Sequence, residues 1–395
     1  MQNFVYCNPT ELVFGRGAHK EIGMRMLPWA KDGKKALVIY GGGSAKRSGV
    51  LDDVVAGCEA AGLTVVVKGG VKPNPEMDFV REVTAFARAE NVNLIIAVGG
   101  GSGDPERLVQ IARAKAVAAS VPYAGDGWDF FTGKVVPETC LPVGAVLTIP
   151  AAGSESSIRC VITQGNEKFG MGNGVIRPKV AAINPELFFT LPKKQIAAGV
   201  IDMMSHIMER YFTKTPAVDY TSGQAEAALK TIMANGLKVM ENVRDYDAWS
   251  QVGLAGTFAH NGYFGLGFEE DWACHGMEHA LSGWNTTITH GFGLAAIIPS
   301  WMRYVAHANE ARFVQFARNV MGVEKEGRAE EVIALGIAKF TVFLQKMELP
   351  TRLSELTDKP VPVKEIAALA TKKGPLGHFK VLTTEDVEAL LTAAL

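Results

Sequence analysis

The chain has 395 residues, enough for two domains and a large core. Its 40 basic and 41 acidic side chains leave a net charge of −1, which removes the electrostatic case for nucleic acid or an anionic membrane as partner. Five scattered cysteines (Cys7, Cys58, Cys140, Cys160, Cys274) without a Cys-x-x-Cys pair exclude a disulfide framework, and neither a signal peptide nor an apolar run near the ~20 residues that span a bilayer is present, so a soluble cytoplasmic protein is expected.

The first half alternates short apolar runs with helical patterns. Ala36–Tyr40 ends abruptly in Gly41-Gly42-Gly43-Ser44, and Leu63–Val67 runs into Lys68-Gly-Gly and then Pro73-Asn74-Pro75. Leu94–Val98 ends in Gly99-Gly100-Gly101-Ser102, and Val143–Ile149 and Val180–Ile183 complete the set. Helical spacing lies between several of them, as over 76–89. Continuous apolar runs separated by helices predict a parallel sheet covered on both faces, a doubly wound domain over residues 1–190. From residue 191 to 395 the pattern is helical, with segments at 193–213, 218–241, 246–262, 292–307, 309–321, 328–347 and 384–394 and no convincing strand.

Each Gly-Gly-Gly-Ser stretch directly follows a predicted strand. Such a turn lets a phosphate approach backbone N–H groups at the carboxyl end of a parallel sheet. Neither is the G-x-G-x-x-G fingerprint, and one alone is as well read as an ordinary tight turn. Two at equivalent positions favour a nucleotide cleft.

Of the eight histidines, three lie between His275 and His290. His275 and His279 are four apart, so on a helix they share a face, and His290 returns after a break rich in Ser, Asn, Thr and Gly. Upstream, Ile196, Val200, Met203, Met204, Ile207, Met208 and Tyr211 form an apolar helical stripe. Asp202 and His206 fall on the opposite face with Gln195, Ala198, Gly199, Ser205 and Glu209. Alone, that i,i+4 pair reads as a solvated helix face. With the later histidines, one carboxylate and two or three imidazoles suit a divalent transition metal that keeps a position open for substrate. Cys274, beside His275, is a further ligand candidate, with a small buried residue the simpler reading. A phosphate-rich cofactor on the sheet and a metal on the helices suggest metal-assisted hydride transfer.

In these residues the chain resembles the iron-containing alcohol dehydrogenase family, in particular its butanol-dehydrogenase-like, NADP-using branch. The resemblance runs through Phe14-Gly-Arg-Gly17, Tyr40–Val50, Pro73-Asn74-Pro75, Ala97–Ser102, Trp128-Asp-Phe-Phe131, Thr148–Ser156, Gly199–His206 and the His275/His279/His290 cluster, essentially the whole chain. It implies a dinucleotide-binding domain, a helical metal-binding domain, and an active site in the cleft between them. By this likeness Asp202, His206, His275 and His290 match the metal ligands, for iron(II) or zinc(II), and His279 matches a non-ligand histidine near the nicotinamide, a candidate for proton relay. Lys168 matches a lysine near the cofactor, and Thr148 and Ser102 line its pyrophosphate and nicotinamide side. Gly41, Gly42, Gly43, Ser44, Asn74, Gly100 and Gly101 complete the cofactor candidates. Relatives that prefer NAD often carry an acidic residue after the first strand. Here Gly41–Ser44 is followed by Lys46 and Arg47, which favours NADP(H), with NAD(H) the alternative.

Two stretches depart from the family pattern. After Ser102 the expected Ser-x-x-Asp-x-x-Lys is replaced by a longer run, and the family-like Lys115-Ala-Val-Ala-Ala arrives about seven residues late. Asp104-Pro105 is a good N-cap and first-turn pair, so a helix is expected to begin at 105, off the phosphates; the alternatives are weakened cofactor binding or an altered or remodelled segment. The His275–His290 spacing is also one residue long, which a loop can absorb. Phe264, Phe268, Trp272 and Trp284 are expected to wall an apolar pocket for an aliphatic or aromatic aldehyde, with helix core an equal alternative. The expectation is a metal-dependent, NADP-linked alcohol dehydrogenase working as an aldehyde reductase, a homodimer with a small-molecule substrate. The rivals are a glycerol-dehydrogenase-like polyol oxidase and a catalytically silent metal-binding relative. A dehydroquinate-synthase-like lyase would need more basic residues around the metal.

Overall fold

The computed structural model describes the chain except residues 32, 70–76, 101–109 and 166. Asn74, Gly101, Ser102 and the Asp104-Pro105 helix start therefore lie outside the described residues. The first part of the chain supplies β1 (Glu11–Phe14), α1 (Ile22–Met26), β2 (Lys35–Tyr40), α2 (Gly43–Arg47), α3 (Val50–Ala60), β3 (Thr64–Lys68), α4 (Met77–Ala89), β4 (Leu94–Gly99), α5 (Gln110–Ser120), α6 (Trp128–Phe131), β5 (Val143–Leu147), β6 (Arg159–Gln164), β7 (Glu167–Gly172) and β8 (Val180–Ile183). Helices follow: α7 (Lys193–Tyr211), α8 (Asp219–Glu241), α9 (Tyr246–Ala259), α10 (Ala273–Trp284), α11 (His290–Val305), α12 (Glu310–Asn319), α13 (Ala329–Lys346), α14 (Val363–Ala370) and α15 (Thr384–Ala393). None of the described helices is long and apolar enough to cross a membrane.

Two compact units result. One comprises Cys7–Leu191 with Val243–Thr257, the other Met1–Tyr6, Pro192–Asn242 and Phe258–Leu395. In the first, six parallel strands lie in the order β1-β8-β5-β4-β2-β3. The chain steps from β2 outward to β3, then crosses back to β4 on the other side of β2, so β2 and β4 flank the point where strand order reverses. Side chains alternate between faces. Ala36 and Val38 of β2, Ile96 of β4 and Val146 of β5 share a core with Ile22, Met26, Val54 and Cys58 of α1 and α3. The opposite face is covered by α5, which packs on β4 and β5. Both faces are thus apolar, and the runs read as continuous rather than alternating. The hairpin β6–β7 forms a separate antiparallel pair.

In the second unit α7 is buried from Gln195 to Tyr211 and packs against α8, α10 and α11. It starts after Pro192, whose missing N–H costs nothing at a helix start, and stops at Phe212, which leaves the helical region with φ −75° and ψ 88°. Because neighbouring helices cover every side of it, its polar face is not solvated. Asp202 is 1% exposed and His206 5%.

Candidate metal and cofactor sites

Helical spacing aims Asp202 and His206 from one face of α7. The Nδ1–H of His206 donates to the backbone carbonyl of Asp202 at 2.8 Å and lies 3.1 Å from the Asp202 carboxylate. A carbonyl can only accept, so the lone pair of His206 is on Nε2. Helix α10 brings His275 opposite. Its N-terminus follows Trp272, an aromatic residue at φ 67°, a conformation that costs about 1–2 kcal/mol and must be held by its surroundings. Glu209 of α7 holds it, its Oε1 accepting from the backbone N–H groups of Cys274 (2.6 Å) and His275 (3.2 Å). Asp271 does the same on the other side, accepting from Ala273 (3.3 Å) and, across the unit, from His378 and Phe379 (2.7 Å each).

The same Glu209 grips the ring of His275 at Nδ1, and Glu278 of α10 grips Nδ1 of His290, the first residue of α11. Carboxylate acceptors at both Nδ1 atoms leave both Nε2 lone pairs for another partner. Those atoms face Asp202, with His275 Nε2 3.9 Å and His290 Nε2 3.7 Å from its Oδ1. An ion bound at about 2.0–2.2 Å to each of two ligands cannot hold them more than about 4.4 Å apart. The separations fit. Asp202, His206 and His275 also present ligand atoms that all lie within 4.8 Å of one another. Among the described residues His275 Nε2 is buried with no hydrogen-bond partner, an arrangement costly for a polar atom unless something else binds it.

The electrostatics agree. Burial disfavours ionisation of Asp202, but His206, His290 and His275 outweigh it and hold the carboxyl below its usual range. Burial, with His206 and His290 nearby, keeps His275 well below the ordinary imidazole value, hence neutral and able to bind through its lone pair. Burial pushes Glu209 up to about 7, against the pull of the His275 and Cys274 N–H groups.

His279 sits one turn along α10, half-buried, its ring 6.1 Å from that of His275 and 5.5 Å from that of His290. Trp272 meets the rings of His206 (5.8 Å) and His275 (5.2 Å) edge-on, while Phe264 and Phe268 are buried and Trp284 is half-buried. Cys274 is buried and contributes its backbone N–H, and burial pushes its thiol well above the ordinary value. Sequence reasoning placed Glu209 on the right face without a role and passed over Glu278. The available signal was spacing: each lies three residues after a ligand candidate, His206 and His275.

In the sheet unit, Gly41 and Gly42 follow β2 and lead into α2, which holds Gly43 and Ser44, while Gly100 follows β4. Because β2 and β4 are neighbours, with Tyr40 opposite Val98, Gly41–Gly42 and Gly99–Gly100 lie side by side at the strand-order reversal. Open parallel sheets bind ligands there. The N–H of Thr148 donates to Gly99 O at 3.1 Å, placing Thr148 beside the second turn. Lys168 lies on β7 opposite Thr163, in the hairpin rather than in the sheet that carries the turns. The carboxamide of Gln110, at the start of α5, was not foreseen. A Cβ at Gly41 would lie 2.7 Å from its Nε2, and one at Gly99 would lie 2.4 Å from its Oε1. Among the described residues it is buried without a hydrogen-bond partner, which marks it as a buried polar group between Gly41 and Gly99 that a ligand could satisfy.

A parallel sheet with glycine turns at its reversal point, together with a buried carboxylate–imidazole cluster on helices, belongs to the class of nucleotide-dependent metalloenzymes. The family model for iron-containing alcohol dehydrogenase matches residues 9–185, and that for the C-terminal part of the Fe-containing alcohol dehydrogenase family matches residues 196–395. The chain belongs to the iron-containing alcohol dehydrogenase family. It is 39% identical over 398 residues to probable NADH-dependent butanol dehydrogenase 1 of Bacillus subtilis, covering 100% of both chains. It is 33% identical over 359 residues to the NADPH-dependent aldehyde reductase YqhD of Escherichia coli, covering 90% of this chain and 89% of the relative. The crystal structure of NADH-dependent butanol dehydrogenase A from Thermotoga maritima matches with a TM-score of 0.92 at 38% identity, covering 100% of this chain and 99% of that one.

Proposed function

We propose that the protein is a metal-dependent, NAD(P)H-linked alcohol dehydrogenase, acting mainly as a reductase of small aliphatic or aromatic aldehydes. The observation that carries this reading is the pair of His275 and His290 Nε2 atoms turned toward one buried carboxylate, Asp202, with a ligand atom of His206 within 4.8 Å of those of Asp202 and His275. In this reading the sheet unit binds the dinucleotide through Gly41–Ser44, Gly100 and Thr148, and the helical unit binds the metal.

Asp202, His206, His275 and His290 would hold one iron(II) or zinc(II) ion, since either accepts a carboxylate with imidazoles. Bound there, the ion would supply a Lewis acid for the substrate oxygen, worth several kcal/mol of charge stabilisation. Hydride transfer belongs to the nicotinamide. The chain does the rest. Glu209 and Glu278 fix the tautomer and direction of two imidazoles, and Trp272 walls the site against water. His279 is assigned to moving the proton that the substrate oxygen gains on reduction and loses on oxidation. The exposed Lys46 and Arg47 of α2, with no carboxylate in Gly41–Ser44, support NADPH over NADH, and relatives named for either cofactor exist.

A cytoplasmic homodimer is part of the proposal. The five cysteines are unpaired in the structure, as a reducing compartment would keep them, and among the described residues β1 and β3 are the edge strands of the sheet. The test is oxidation of NADPH or NADH with butanal and, for the polyol rival, reduction of NADP+ or NAD+ with glycerol, in protein loaded with iron(II) or zinc(II). Turnover with butanal is expected. Its absence with both metals despite bound metal overturns the reading in favour of a silent relative.

One variant probes the orienting carboxylates. Glu278→Gln should keep the fold and lower metal affinity by about 10–100-fold, measured by competition with a chelator. An unchanged affinity would show that His290 needs no carboxylate behind it.

A further inference from the structure

Lys115 of α5 is fully buried, and the chemistry above gives it no part. Its ammonium lies among oxygens of the segment that follows β5. It donates to the carbonyls of Ser154 (2.6 Å), Ser157 (2.9 Å) and Arg159 (3.0 Å), with the hydroxyls of Ser154 and Ser157 both at 3.3 Å. An ammonium has three protons, and three carbonyls use them. Burial draws its pKa down to about 8, with Cys160 and Glu155 pulling the other way, so the cation persists at neutral pH.

The turn is held from other directions too. Arg177 Nη1 donates to Ser156 O at 2.8 Å. From α9, Thr257 Oγ1 donates to Glu155 Oε1 at 2.7 Å, and its carbonyl accepts from Ser156 Oγ at 3.0 Å. Each residue from Ser154 to Ser157 is therefore tied to another element. A segment without regular structure would otherwise open locally at little cost. Desolvating a lysine is expensive, and an apolar side chain would fill the space more cheaply. The expense makes sense where the place of the turn matters. The segment leaves the sheet at Thr148, hydrogen-bonded to Gly99 at the carboxyl edge where ligands bind.

We propose that Lys115 is a positioning residue for the cofactor site: its charge fixes the Ser154–Arg159 turn, and through that turn it sets NAD(P)H affinity without touching the cofactor. This rests on the dehydrogenase reading. The experiment compares wild type, Lys115→Met and Lys115→Arg as metal-loaded holoenzymes, measuring KM for NADPH, kcat with butanal, metal content and melting temperature. Lys115→Met is expected to raise KM for NADPH about tenfold, as the loss of one charge-assisted anchor would, with metal content and kcat at saturating cofactor retained. Lys115→Arg should recover most of the loss. Should Lys115→Met fail to fold, Thr257→Val loosens the same turn from α9 and should raise the same KM by about threefold. An unaltered KM for NADPH, or a rise in KM that comes only with a fall in kcat and in melting temperature, overturns the inference alone. A wild-type holoenzyme that binds neither NADPH nor NADH overturns the dehydrogenase reading and this inference with it.

Discussion

Replacing His275 by alanine is expected to lower kcat/KM for butanal by at least about 1,000-fold and to strip the protein of stoichiometric metal. Each factor of ten is about 1.4 kcal/mol of transition-state stabilisation, and loss of the Lewis acid removes several kcal/mol at once. The effect should be confined to the site. Glu209 keeps its two backbone donors on α10, Cys274 and the residue at 275, so the helix cap survives the loss of the imidazole. With a pKa already near 7, its carboxyl can protonate once the ring is gone, rather than remain a buried unpaired charge. Metal content by atomic absorption, far-ultraviolet circular dichroism and steady-state kinetics together check this. Full metal occupancy with kcat/KM within about tenfold of wild type would remove His275 from the ligand set.

Gly291→Ala is expected to damage the same centre through the backbone, with a fall of several degrees in melting temperature and about 100-fold in kcat/KM. A Cβ at 291 would sit 2.4 Å from the carbonyl oxygen of Ala198, 2.8 Å from its Cα and 2.9 Å from its carbonyl carbon. These are backbone atoms of α7, which no rotamer change can move aside. Ordinary contact requires about 1 Å more separation, so α11 must shift off α7. Overpacking of this kind costs about 1–3 kcal/mol. His290 is the adjacent residue and Asp202 lies one turn along α7 from Ala198, so the shift falls between two ligand candidates. A displacement near 1 Å is the scale at which catalytic geometry loses about two orders of magnitude. Calorimetry and kinetics on the metal-loaded variant check it. Unchanged melting temperature and rate would mean that the two helices are not locked at this point.

The sheet strands and long helices were legible because burial on both faces writes itself as unbroken apolar runs, and burial on one face as a 3.6-residue period. The candidate site stood out in the sequence where it draws on rare residues, and the structure brings the ligand atoms of Asp202, His206 and His275 within 4.8 Å of one another. What escaped has physical reasons. Strand β1 is four residues long and begins with Glu11, and β7 carries Gly170 and Gly172, so neither shows a strand-like run. The full extent of α10 was hidden because its buried residues include His275 and Glu278 beside Met277, Ala280 and Leu281, and an apolar period does not register the polar pair. Glu209 and Glu278 looked like ordinary polar helix positions. Only the approach of α7 to α10 and of α10 to α11 turns them into partners of imidazoles, and no local pattern encodes that. Lys115 was noticed as displaced along the sequence, but its carbonyl cage is assembled from a segment some forty positions away, Ser154 to Arg159.

The measurement that bears most directly on metal-assisted hydride transfer follows the isotope. The wild-type protein, loaded with iron(II) or zinc(II), is given butanal and NADPH deuterated at the transferring C4 position of the nicotinamide, and the butanol is analysed by mass spectrometry. Butanol carrying one deuterium at C1, formed only while the metal is bound and lost on chelation, is the expected result. Butanol without deuterium, or equal turnover after complete removal of the metal, would contradict it.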